Sequence, residues 1–352
     1  WTPQVVHAHD WHAGLTPLCM RQLGVAARSV FTIHNLAYQG LFPAAIFNSL
    51  GLPAACFSMD GVEFYGQVSF MKAALQVADA ITTVSPRYAR EIQTCEQGMG
   101  LDGLLRSRAE RLRGILNGVD AEVWNPAHDK ALAATYSAQR MDGKSACKAA
   151  LQAETGLQAA PDRLLLGVVS RLTEQKGLPL LLANLPALIQ RGVQIAMLGS
   201  GDAELERAFS AMAEAHPTQI AVRLGYDEAF AHRLIAGADV ILVPSLFEPC
   251  GLTQLYGLAY GTLPLVRHVG GLADTVVDCS LEALQEQRAS GFVFHDFSPE
   301  AMDAALRRAD LLYRQPSLWQ QLQQTGMAQR HDWESAAEQY AGVYRSALRT
   351  AE

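Results

Sequence analysis

Short apolar runs separated by helix-forming segments recur through most of this 352-residue chain, and that alternation limits its fold more than any other feature. In the second half the runs are LLLGVVS (164–170), VQIAMLG (193–199), IAVRLG (220–225), DVILVP (239–244), LPLVR (263–267) and GFVF (291–294). Between them lie segments such as LLLANLPALIQRG and AELERAFSAMAEAH, which carry apolar residues at helical spacing. The runs are largely apolar rather than alternating, as strands buried on both faces are. Strands that alternate with helices imply βαβ units and a parallel sheet covered on both sides. The first block repeats the pattern with QVVHAH (4–9), RSVFTIH (28–34), AITTVS (80–85) and LRGILN (112–117). There Ser85-Pro86 opens a helix, because proline suits the first helical turn.

The length suits two domains. Residues 118–145, with GVDAEVWNPAHDK, show little periodicity and read as the crossing between them. The tail 316–351 reads as helices with Trp319, Trp333, Tyr340 and Tyr344 as apolar anchors. The chain opens Trp-Thr-Pro-Gln and enters a strand at once, and its first block holds fewer strands than its second. The expectation is that residues precede Trp1, on the order of a hundred if they complete a domain of ordinary size.

Composition removes several function classes. Net charge is −7 and no run of Lys and Arg occurs, so no nucleic-acid partner is expected. The apolar runs fall well short of the roughly 20 residues that span a bilayer, so no membrane association is expected either. Six cysteines are scattered without a CxxC pair, which fits reduced thiols and a cytoplasmic protein.

Open parallel sheets bind ligands beyond the carboxyl ends of their strands, so the chemistry is sought there. SRLTEQKG follows the 164–170 run and places Arg171 and Lys176 at a helix start. Cations are unfavourable at that end of the helix dipole unless an anion such as phosphate sits between them. The alternative is that Glu174 neutralises both in solvent. SLFEPCGLTQLYG follows DVILVP. Pro249 holds Glu248 extended, and Gly251 lets backbone approach a ligand, or else Glu248 merely complements the helix dipole. Cys250, at the same helix start, reads as a passive small apolar residue. VVHAHDWHAG gathers His7, His9, Asp10 and His12. Three readings stand: a metal site, histidines satisfied within the fold, or a polar pocket for a hydroxyl-rich ligand. Familiar motifs fail. DGKS (142–145) lacks the first glycine of a P-loop, which is Ala138 here; LGSGDAE lacks the third glycine of a dinucleotide fingerprint; HExxH is absent. The broken fingerprint and the Arg-Lys pair argue against a nicotinamide-dependent oxidoreductase.

Taken in order, HAHDWHAGL, FTIHNLAYQG, ITTVSPRYAREI, GILNGVD, VVSRLTEQKGL, GYDEAFAHRLIAGADVILVPSLFEPCGLTQLYGLAYGTLPLVR, GGLADTV and SGFVF resemble the bacterial glycogen synthase family. The resemblance runs from Val5 to about Tyr344. It implies a GT-B fold, two Rossmann-like doubly wound parallel-sheet domains facing each other across a cleft. The division would be 1–117, an incomplete first domain; 118–330, a nucleotide-sugar domain; and 331–352, a helix crossing back to the first. It implies a retaining glucosyltransferase acting from ADP-glucose on the non-reducing end of an α-1,4-glucan, either glycogen or a maltooligosaccharide. A UDP-glucose enzyme or an inactive glucan-binding fragment are the alternatives.

Residue by residue, Arg171 and Lys176 match the pair gripping the diphosphate, and Glu248 the acidic group near the donor glucose. Gln175 and Cys250 lie in the same donor segments. Gly251, Leu252 and Thr253 match the stretch reaching the phosphates, and Tyr226 the aromatic over adenine. Asp10 and His34 match first-domain residues near the sugar, and Asn117 the asparagine on glucose. The family uses no metal and no separate cofactor, so HAHDWH resembles a sugar pocket. The family's Lys-x-Gly-Gly-Leu loop is missing; GGL at 270–272 follows His268 and matches a different segment.

Overall fold

The structure is a computed structural model describing residues 1–349. It divides into two compact units: Trp1–Gly118 with the helix from Trp333 onward, and Val119–Asp332.

The first unit contains β1 (Val5–His9), β2 (Arg28–Ile33), β3 (Leu41–Pro43), β4 (Glu63–Phe64), β5 (Gln67–Ser69), β6 (Ala80–Thr83) and β7 (Leu112–Gly114). Strands β1-β2-β6-β7 form a sheet in that order, all parallel, so every run expected in this block is a strand. Phe31, Ile33, Met71, Leu75 and Ile81 are fully buried in its core. The helix Phe70–Val77 is capped by Ser69, whose hydroxyl accepts from the Lys72 amide. Ser85 caps Pro86–Glu91 in the same way. A small antiparallel sheet, β3-β5-β4, lies between β2 and β6 in sequence and was not expected. Its strands have only two or three residues, too few to show a period. The Lys72 ammonium steadies the loop beside it by donating to the carbonyls of Met59 (2.5 Å) and Gly61 (3.1 Å).

The second unit contains β8 (Leu165–Val169), β9 (Gln194–Gly199), β10 (Ile220–Leu224), β11 (Val240–Val243), β12 (Leu263–Arg267) and β13 (Phe292–Phe294). Their order is β10-β9-β8-β11-β12-β13, all parallel. This is the 3-2-1-4-5-6 order of the doubly wound nucleotide-binding fold. The order reverses between β8 and β11, and the connections after those two strands leave toward opposite faces. A crevice at the carboxyl ends follows from that topology. β9 and β11 are buried along their whole length, which is why their sequences are apolar without alternation.

Residues 119–141 form little regular structure yet belong to this unit, with Tyr136 and Asp129 buried in it. Lys144 of the failed P-loop is a structural cation. It donates to the carbonyls of Ala236 and Ala238 and to Thr262 Oγ1, and burial lowers its pKa to about 8. The tail forms the helices Pro316–Met327 and Trp333–Arg349. Trp319 is buried as an anchor. Trp333 is half exposed (50%), because it sits in the first turn of a helix that buries only Ala336 and Ala347 fully.

Candidate active site

The loops after β8 and β11 meet. The Leu246 amide donates to the Gln175 carbonyl at 2.8 Å, and Gln175 Nε2 reaches the Phe247 carbonyl at 3.4 Å. Gly177 permits the approach twice over. Its φ is 69°, and a Cβ there would overlap the Pro244 carbonyl oxygen. The helix Leu178–Gln190 starts immediately afterwards. Beside it is a cavity of about 180 Å³ lined by Ser170, Arg171, Lys176, Ser245, Glu248, Gly251, Leu252 and Thr253, with the apolar ends of β8 and β11 as its floor.

Within the cavity wall, Lys176 Nζ donates to Glu248 Oε2 at 2.6 Å, and Ser245 Oγ donates to the same oxygen at 2.8 Å. Glu248 is 6% exposed, so its charge is desolvated and held by these two donors. The cation at the helix start is thus balanced by Glu248 rather than by Glu174, while Arg171 stands exposed at the cavity edge. Gly270 backs Glu248, since a Cβ at that residue would overlap the Glu248 carbonyl oxygen. Cys250 is buried and Thr253 Oγ1 lies 3.4 Å from the Val169 carbonyl. An anion entering this cavity would meet one guanidinium, one ammonium and the amide end of a thirteen-residue helix. Sequence reasoning does not single out Ser245. The only signal was its place two residues past the end of β11.

Tyr226 is not part of the cavity lining. It is 88% exposed on the turn after β10, with its hydroxyl 3.4 Å from Glu228.

In the first unit, β1 and β2 pair so that His9 lies opposite Thr32. Asp10 follows β1 with φ 56°, a left-handed conformation that is costly for a non-glycine residue. Its Oδ1 accepts from the His34 amide at 2.9 Å. His9 Nδ1 and His34 Nε2 are 3.0 Å apart. His7 lies on the same face as His9 and is bonded on both nitrogens, to Tyr344 and Thr32. Burial and the neighbouring His9 and His34 lower its pKa to about 4. The cluster therefore splits. His7 is a satisfied histidine of the fold, whereas Asp10, His9 and His34 gather at the strand ends. His12 stacks on Trp11 and stays exposed. Asn117 is half-buried just before the chain passes into the second unit. Among the described residues no group of three or more His, Cys, Asp and Glu side chains is arranged to hold a metal ion. No described helix is long and apolar enough to cross a membrane.

Residues 1–107 match the family described as starch synthase catalytic domain, and residues 163–309 match glycosyl transferases group 1. The chain is 62% identical over 350 residues to the glycogen synthase of Leptothrix cholodnii, covering 98% of this chain and 72% of that protein. It is 59% identical to the glycogen synthase of Albidiferax ferrireducens, covering 98% and 71%. Among solved structures, the catalytic domain of starch synthase IV from Arabidopsis thaliana bound to ADP and acarbose superposes with a TM-score of 0.93. It is 33% identical, covering 99% of this chain and 73% of that one. A sucrose-phosphate synthase from Thermosynechococcus elongatus shares the fold at a TM-score of 0.63 and 20% identity, covering 99% and 74%.

Proposed function

Since this chain belongs to the glycogen synthase family of glycosyltransferases, we propose that it moves glucose from ADP-glucose to the non-reducing end of an α-1,4-glucan with retention of configuration. The cavity at the β8–β11 switch point, walled by Arg171, Lys176 and buried Glu248, is the observation that carries this reading. Cleavage of the C1–O bond leaves a cation-like sugar and builds negative charge on the departing diphosphate. Arg171, Lys176 and the amides at Leu178 and Thr253 are oriented before reaction, so they stabilise that charge without reorganising. Gly251 and Leu252 bring backbone to the phosphates, while Gln175, which ties the two loops together, and buried Cys250 lie behind the lining. Glu248 attracts the developing positive charge of the sugar, and Asp10 serves the same end from the first unit. His34 and Asn117 contact sugar hydroxyls, and Tyr226 offers a face to adenine. The two cationic side chains take the charge-neutralising part, and no metal or separate cofactor is assigned. The acceptor is glycogen or a maltooligosaccharide, and the six free cysteines fit the cytoplasm.

The test is transfer of radiolabelled glucose from ADP-glucose to glycogen, with UDP-glucose in parallel. It is run on this chain and on a version extended to the length of its relatives. Incorporation from ADP-glucose supports the reading. Incorporation from UDP-glucose alone replaces the donor. No incorporation by either folded protein, with glycogen still bound, turns it into a glucan-binding module.

A further inference from the structure

We infer that Tyr344 and His7 are positioning residues for His34, so that the C-terminal helix sets the geometry at the ends of β1 and β2. The inference rests on the proposed contact of His34 with sugar only for its catalytic consequence.

The side chains form a continuous series within the first unit. Tyr344 Oη lies 2.8 Å from His7 Nδ1, joining two residues 337 positions apart in sequence. His7 Nε2 lies 2.6 Å from Thr32 Oγ1, which in turn bonds Thr82 Oγ1. Strand periodicity puts His7 and His9 on one face, with their rings 4.1 Å apart and 31° from parallel. His9 Nδ1 then meets His34 Nε2 at 3.0 Å, and the His34 amide is held by Asp10. Turning the His7 ring breaks its bonds to Tyr344 and Thr32 and changes the face it presents to His9.

Stability does not call for this arrangement. Thr32 and Thr82 are fully buried where apolar β-branched side chains would pack. Replacing a bonded polar set by apolar groups of the same shape is close to neutral for folding. What the polar set adds is orientation, because an imidazole bonded on both nitrogens is held in its ring plane by its partners. The ring of Tyr340 also packs near His7, and burial keeps the Tyr344 phenol protonated. The row therefore stays uncharged at its helix end, and the His7 ring held there packs against His9.

The experiment labels the histidine rings of the full chain with nitrogen-15 and follows the ring nitrogens of His7, His9 and His34 through a pH titration. Tyr344→Phe removes one hydroxyl and keeps the ring. The expected result is a displaced His34 nitrogen signal at an unchanged fold. Tyr340→Phe, the same chemical change on the same helix, leaves His34 where it was. Should Tyr344→Phe not fold, His7→Gln breaks the series at its second member and is read in the same way. In the glucose-transfer assay Tyr344→Phe lowers kcat about tenfold to a hundredfold at unchanged KM for the donor, the cost of a misaligned contact. His34 signals that match the unaltered chain in both Tyr344→Phe and His7→Gln overturn the inference. Displaced signals in a chain that transfers no glucose uphold the positioning and remove only the substrate role of His34.

Discussion

Lys176 and Glu248 show how little of a residue's role is local. Each reads as an exposed charge at a helix start until the fold brings them to 2.6 Å, with Ser245 on the same oxygen. Removing a preorganised charge near the reacting centre costs about 3–4 kcal/mol of barrier. Lys176→Ala is therefore expected to cut turnover at least about a hundredfold, and a steady-state assay with near-normal kcat would dismiss the assignment. His7 supplies a pH prediction. Its pKa in the fold is about 4, against 6.5 when exposed, so the unfolded chain takes up the proton first as pH falls. Stability is then complete above pH 6.5 and declines as pH drops toward 4. Denaturant titrations across that window check it, and His7→Gln should flatten the decline. At the tip of the β4–β5 hairpin, Tyr65 has φ 48° followed by Gly66 at φ 79°. Asparagine-glycine is the favoured pair for such turns. Tyr65→Asn should accordingly stabilise the first unit by about 0.5–1 kcal/mol, read as a higher melting temperature.

At the scale of elements, the ten strands of the two parallel sheets were legible because each lies within a largely apolar run set off from helical segments, even where the strand itself has three residues. Burial on both faces removes alternation and leaves length and flanking residues as the signal. The β3-β5-β4 sheet was illegible for the opposite reason, since its two- and three-residue strands lie in no apolar run, β3 being largely exposed. Helix starts were readable where a side chain caps them, as at Ser85 and Asp202. Gly177 could be seen as a glycine but not as an obligatory one. Its left-handed φ and the Pro244 carbonyl beside it belong to the meeting of two loops. Gly177→Ala is expected to separate the β8 and β11 loops, abolishing ADP binding by calorimetry and lowering the melting temperature. Unchanged ADP affinity would show that the loops are held together elsewhere.

For the whole molecule, the residues lining the cavity between the β8 and β11 loops lie in the second unit, and Asp10 and His34 lie in the first. The two groups should separate experimentally. Asp10→Asn is expected to lower turnover strongly while ADP affinity stays within about twofold, whereas Lys176→Ala weakens both, because only the second touches the diphosphate. A matching loss of ADP affinity in Asp10→Asn would place the phosphates elsewhere.

The sequence by itself determined the two parallel sheets, the strand ends where polar residues gather and the family to which the chain belongs. The sheets and strand ends rest on patterns within a few dozen residues, and the family on motifs in order along the chain. It left three readings open for HAHDWH and two for SRLTEQKG. Only the tertiary structure decided that His7 is bonded to Tyr344, that Lys176 is balanced by Glu248, that Trp333 is left half exposed and that Tyr226 lies outside the cavity between the β8 and β11 loops. The physical reason is the same each time. Strand and helix follow from local periodicity, but the partner of a polar group is chosen by topology, which joins residues that no sequence window contains.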